Sequence, residues 1–119
     1  MPKPEYEFFP VTSVAWTTVP GKASGMQERI LARDPDDEVA TRILHFDPGC
    51  DTSPNGVQVH DFWEEVYILE GSLHDLSLGK TFKAGDYACR PPGMRHGPWR
   101  TSEGCTTFEV RYYGKDGKR

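Results

Sequence analysis

VQVHDFWEEVYILEG (residues 57–71) decides the fold, together with GDYACRPPGMRHGPW (residues 85–99) about thirty residues later. Side chains along a strand alternate between faces, so Gln58 and His60 point the same way, and Glu64, Val66 and Ile68 share a face of the following segment. If that face is the interior one, the Glu64 carboxylate returns opposite the His60 imidazole. His96 closes the group from a third segment, after a Pro91-Pro92-Gly93 turn whose prolines fix the path of the chain and whose glycine permits a positive φ. Two imidazoles and one carboxylate, each beside a predicted strand, can hold a divalent first-row metal and leave coordination positions open.

Working outward, short extended segments alternate with turn residues. VTSVAWTTV (11–19) is rich in β-branched side chains and stops at Pro20-Gly21, which predicts a strand. MQERILAR (26–33) is compatible with helix or strand by propensity. The turn at Asp34-Pro35-Asp36-Asp37 and the alternation of VATRILHF (39–46) favour a hairpin over 26–46. Asp47-Pro48-Gly49 closes it. Residues 57–60 and 64–70 are expected to pair, with Gly71 ending the second strand; 72–78 then leads through Gly79-Lys80 to 81–83. Further strands are expected at 86–90 and 105–113, and the Gly/Lys-rich tail 114–119 is expected to fray. Eight to ten short strands separated by Gly and Pro describe an all-β sandwich or barrel.

Composition narrows the function classes. A chain of 119 residues is expected to form one domain (1–119, core about 14–113) and to bury a core without disulfides. Its net charge of −4, with both signs mixed and no basic run, argues against nucleic acid and anionic membrane as partners. Cys50, Cys89 and Cys105 show no C-x-x-C spacing and are expected to be buried free thiols in a reducing compartment. MPKPEYEFFP at the N-terminus lacks the apolar run of a signal peptide, and no stretch approaches eighteen apolar residues, which leads to the expectation of a cytoplasmic protein.

The two motifs resemble those of the cupin superfamily. His60, Glu64 and Gly71 match the spacing of the first cupin motif, and Gly85, Pro91, Gly93 and His96 match the second. Trp16, Pro20-Gly21, Thr41-Arg42-Ile43-Leu44, Asp47-Pro48-Gly49 and Leu69-Glu70-Gly71 extend the likeness to small cupins similar to the cupin domain of zinc-dependent anti-sigma factors. The resemblance implies a double-stranded β-helix (jelly-roll) barrel, one divalent metal ion and a homodimer. One departure stands out: cupins usually carry His-x-His in the first motif, and here the first position is Gln58. The metal set becomes His60, Glu64 and His96, with Gln58 as a weak oxygen donor. That is the composition of the two-His, one-carboxylate triad of non-haem Fe(II) oxygenases, although the same substitution also fits a site in which metal binding is weakened.

The leading expectation is therefore a metal-dependent enzyme acting on a small molecule. Fe(II) is favoured, with Zn, Ni or Mn as alternatives, and the reaction expected is a dioxygenase reaction on a diketone or aromatic ketone. Trp63, Trp99 and Arg90 are candidate walls of the substrate pocket. A non-redox lyase, isomerase or cyclase, with Glu64 as general base, is the alternative within the enzyme class. A non-catalytic, ligand-sensing cupin is the alternative outside it. Glu65 is expected to face away from the site, and His45 and His74 have no context that makes them ligands.

Overall fold

The computed structural model describes residues 2–114, which are all-β apart from two short 3-10 turns, Val11–Ser13 and Ser53–Asn55. Eight strands follow in order: β1 (Thr17–Thr18), β2 (Met26–Arg33), β3 (Ala40–Phe46), β4 (Trp63–Asp75), β5 (Lys80–Lys83), β6 (Tyr87–Arg90), β7 (Trp99–Arg100) and β8 (Cys105–Tyr112). They form a curled antiparallel sheet in the order β1-β2-β3-β8-β4-β5, with β6 and β7 also paired to β4. The hairpin over 26–46 is present as expected. β2 and β3 pair from Met26↔Phe46 to Arg33↔Ala40, with a register shift between Ile30 and Ala32.

β4 organises the rest. Its first half, Trp63–Tyr67, lies between β8 and β6, and its second half, Ser72–Asp75, pairs with β5, with His74 and Asp75 also paired to β7. The bend between the halves is built by a register shift between Ile68 and Glu70 and by Gly71, whose φ is +80°. A bulge of this kind increases local twist and lets one strand serve two parts of a curled sheet. Gly71 therefore acts as a hinge inside a strand of 13 residues, not as the strand end expected from the sequence.

Two other expectations are corrected. Residues 57–60 form no strand; Gln58 makes an isolated bridge to His96, exchanging N–H···O bonds of 2.7 and 3.0 Å. Within 11–19, Val11–Ser13 is a 3-10 turn closed by the Ser13 and Val14 N–H groups, which donate to Pro10 and Val11 carbonyls, so only Thr17–Thr18 remain to pair with β2. β7 went unseen because two residues are too few to show alternation. The predicted tail, 114–119, lies outside the described residues except for Gly114.

Alternation along the strands divides the sheet into faces. On the concave face Met26, Leu44, Phe46, Cys50, Ile68, Leu73 and Cys105 form a buried cluster, with Val19, Ala23, Phe82 and Trp99 packed against it. Each fully buried aliphatic or aromatic side chain there contributes ~1.5–3 kcal/mol. Further along the same face the apolar row gives way to charge, because Glu28, Arg42, Glu64, Arg90, Glu109 and Arg111 also point inward. Cys50 and Cys105 are buried as expected; Cys89 is exposed, because it lies on β6 one residue out of phase with the inward-facing Ala88 and Arg90.

Candidate metal centre

Strand register sets the position of Glu64. Its cross-strand neighbours are Arg90 on β6 and Arg111 on β8, so a carboxylate lies between two guanidiniums in one row of the sheet. Arg90 donates to Glu64 Oε1 at 3.0 Å, and Arg111 Nε donates to Oε2 at 3.1 Å. One row along, Arg42 donates to Glu28 at 2.7 Å and to Glu109 at 2.8 and 3.0 Å. The side chains of Glu64 and Glu109 are 4% and 6% exposed. Charges buried to this degree persist only when paired and hydrogen-bonded, as these are.

The two histidines arrive on irregular backbone that is cross-linked by main-chain bonds. Gln58 and His96 exchange two of them, and the Gly93 N–H donates to the His60 carbonyl at 2.8 Å. The segment carrying one imidazole thereby fixes the segment carrying the other. The His60 ring stacks on Phe62, with centroids 4.5 Å apart and planes at 11°; its centroid is 4.9 Å from that of His96. His96 in turn packs on Trp99 at 5.6 Å, and His96 Nε2 is 3.8 Å from Glu64 Oε1. One ligand atom from each of His60, Glu64 and His96 lies within 4.8 Å of the others.

The protonation states suit a cation. Burial pushes both imidazoles below 6.5, aided for His96 by Arg90, so they are neutral at neutral pH and each has a lone pair to offer. His96 Nδ1 is 3.2 Å from the Met94 carbonyl oxygen, which only a protonated Nδ1 can satisfy; that leaves Nε2 as the unprotonated nitrogen turned toward Glu64. Burial alone would raise the Glu64 carboxyl, but Arg111 and Arg90 outweigh it and hold the group below 4.5. Two neutral imidazoles and an ionised carboxylate form a tri-residue site able to chelate a divalent metal ion.

The cluster opens on a cavity of about 490 Å³ whose wall includes Glu28, Arg42, Gln58, Leu44 and Trp99. A second cavity of similar volume adjoins it, more apolar, lined by Ile68, Phe82, Ala88 and Met94; Arg90, His96 and Trp99 border both. Arg90 also stacks over Trp99 at 5.1 Å. Trp63 lines neither cavity. It sits one residue out of phase with Glu64, on the other face of β4, stacked on Tyr112 at 6.4 Å. Gln58 reaches the cavity wall, with its side-chain amide donating to the Asn55 carbonyl at 3.0 Å.

Glu65 faces outward as expected and accepts hydrogen bonds from the Tyr87 and Tyr112 hydroxyls. His45 pairs with Thr106 and Asp47, and His74 with Thr81, away from the cluster. Sequence reasoning missed Glu28, Arg42, Glu109 and Arg111. The available signal was the alternation of 105–113, which puts Cys105, Thr107, Glu109 and Arg111 on one face.

The family described as "ChrR Cupin-like domain" matches residues 6–112. No curated protein matches the sequence. Among solved structures, an RmlC-like cupin from Shewanella frigidimarina aligns with a TM-score of 0.73 at 21% identity, covering 98% of this chain and 97% of its own. The polyketide cyclase RemF from Streptomyces resistomycificus aligns at 0.69 and 23% identity, over 90% of this chain and 79% of its own. An acetylacetone dioxygenase from Acinetobacter johnsonii aligns at 0.68 and 16% identity, over 97% and 81%. At these identities the likeness is one of fold.

Proposed function

We propose that this chain, which belongs to the ChrR cupin-like domain family, binds one divalent metal ion through His60, Glu64 and His96 and acts as an enzyme on a small molecule. The observation that carries the reading is the convergence of three ligand atoms within 4.8 Å inside a cavity. Family membership supports taking the curled sheet as the wall of a jelly-roll barrel, with the site in its interior. The preferred metal is Fe(II), because two imidazoles and one carboxylate with open positions are the ligand set of non-haem Fe(II) oxygenases. Bound there, Fe(II) would supply dioxygen chemistry. Among fold neighbours, the Acinetobacter johnsonii protein is an acetylacetone dioxygenase, and a diketone or an aromatic ketone is the substrate class favoured here.

The chain's own residues have separable parts in this reading. His60 and His96 hold the ion, their rings fixed by Phe62, Trp99 and the Met94 carbonyl. Trp99 offers the apolar wall against which a planar substrate lies, and Arg90 sits beside it with a cation. Gln58 occupies the fourth cupin position as a weak oxygen donor; its amide nitrogen donates to the Asn55 carbonyl, which leaves Oε1 as the atom it can offer. The non-redox alternative uses Zn, Ni or Mn as a Lewis acid, with Glu64 as a candidate general base. Its clamp of two arginines disfavours that role, because a carboxylate held below its ordinary pKa is a weak base.

The test is dioxygen uptake by Fe(II)-reconstituted protein offered 2,4-pentanedione and a set of aryl 1,3-diketones. The reading predicts uptake coupled to substrate loss, abolished in His60→Ala and His96→Ala. Metal-dependent ligand binding without any turnover would instead make the chain a sensing module.

A further inference from the structure

We infer that Arg90 and Arg111, besides holding Glu64, form an anion subsite beside the metal site that takes an anionic oxygen ligand when metal binds. The inference rests on the metal reading above and deepens it by naming the charge of the ligand and the residues that hold it.

Charge balance is the starting point. On the concave face three guanidiniums (Arg42, Arg90, Arg111) meet three carboxylates (Glu28, Glu64, Glu109), all with side chains no more than 20% exposed. That arrangement is neutral. A divalent ion adds two positive charges and shares with Arg90 and Arg111 the Glu64 carboxylate, whose oxygens have lone pairs for both. The group is then left with net positive charge, and buried charge in excess of its counter-ions is costly. A small anion that bridges the arginines and reaches the ion removes that penalty.

The guanidiniums are placed to do this. Arg111 sits over the Phe62 ring at 5.0 Å and Arg90 over Trp99 at 5.1 Å, so both are held by aromatic faces as well as by Glu64. Among the described residues, Arg111 reaches Glu64 through Nε and Arg90 through one Nη, which leaves further N–H groups on each fork for a carboxylate or enolate. Arg42 is already committed to Glu28 and Glu109 and stays out of the subsite. The adjoining cavity of about 490 Å³ accommodates a ligand of aryl-carboxylate size.

Metal and anion should therefore bind cooperatively, and reciprocally, since coupling free energy is the same read from either side. The test is calorimetric titration of Ni(II) into untagged, chelator-stripped protein, with saturating sodium benzoate or with benzyl alcohol as the uncharged control. Benzoate should tighten Ni(II) about tenfold, ~1.4 kcal/mol, and benzyl alcohol should leave it unchanged. Arg111→Gln should remove the benzoate effect and, without benzoate, tighten Ni(II), because one competitor for Glu64 is gone. A purely structural arginine would weaken metal binding in that variant. Arg111→Lys keeps the charge without the fork and should retain part of the benzoate effect. Ni(II) binding that ignores benzoate in the native protein overturns the anion subsite and leaves the metal site standing. No Ni(II) binding at all overturns both.

Discussion

Replacing Gly71 by alanine should nearly abolish folding, and Gly79 provides the control that makes the number interpretable. Both glycines have positive φ, +80° and +67°. An L-residue in that region costs ~1–2 kcal/mol, so both variants carry this penalty. At Gly79 a methyl group would meet nothing within 4 Å. At Gly71 it would lie 2.0 Å from the Gly104 carbonyl oxygen and 2.8 Å from Cys105 Cα. Ordinary C···O contacts start near ~3.3 Å, so backbone must move by more than about 1 Å. No side-chain rotation relieves a clash with main chain. The shift would break the Gly71↔Cys105 register and the Ser72 N–H···O=C Gly104 bond, and it would disturb Cys105, which is 1% exposed. Together these put Gly71→Ala above ~4 kcal/mol, in the range reserved for severe strain or core disruption. With a urea slope of ~1.5 kcal/mol/M, Gly79→Ala should lower the unfolding midpoint by about 1 M. Gly71→Ala should lower it by about 3 M or more. Equal shifts in the two variants would refute the hinge role of Gly71.

Three other perturbations report on different parts of the molecule. Arg42→Met leaves Glu28 and Glu109 buried without their counter-ion and should cost ~3–5 kcal/mol in urea unfolding; adding Glu28→Gln and Glu109→Gln to it should recover part of the loss. Acidification should destabilise the metal-free protein in two stages. His60 and His96 lie below 6.5 when folded, so the unfolded chain takes up protons first; their contribution is complete above pH 6.5 and is lost as pH falls through the folded values. Glu64, held below 4.5, adds a second loss at lower pH, and a His60→Gln/His96→Gln variant should lack the first stage in urea midpoints measured between pH 7.5 and 5. A disulfide reagent should modify one thiol per native chain, Cys89, and all three after denaturation; Cys105, buried and pushed up to about 12, should be the last to react.

What could be read from the sequence was whatever local pattern encodes. The hairpin over 26–46 followed from alternation around a turn at Asp34–Asp37, and the candidate trio His60, Glu64 and His96 from motif spacing together with the cupin resemblance. What sequence did not reveal depended on which strands become neighbours. Glu64, Arg90 and Arg111 are separated by 26 and 21 positions along the chain, and only the pairing of β4 with both β6 and β8 makes them one row. Gly71 looked like a strand end because glycine usually is one; here the close approach of Gly104 requires it within a strand. Trp63 lies outside both cavities because the neighbour of Glu64 in a strand faces the opposite way. Cys89 was misjudged for the same reason of phase.

Whether His60, Glu64 and His96 hold a metal ion is decided by metal analysis of untagged protein beside His60→Ala, Glu64→Ala and His96→Ala variants of unchanged fold. The native protein should carry about one divalent ion per chain, and either histidine variant should lose nearly all of it. The same sub-stoichiometric content in all four proteins would contradict the metal assignment.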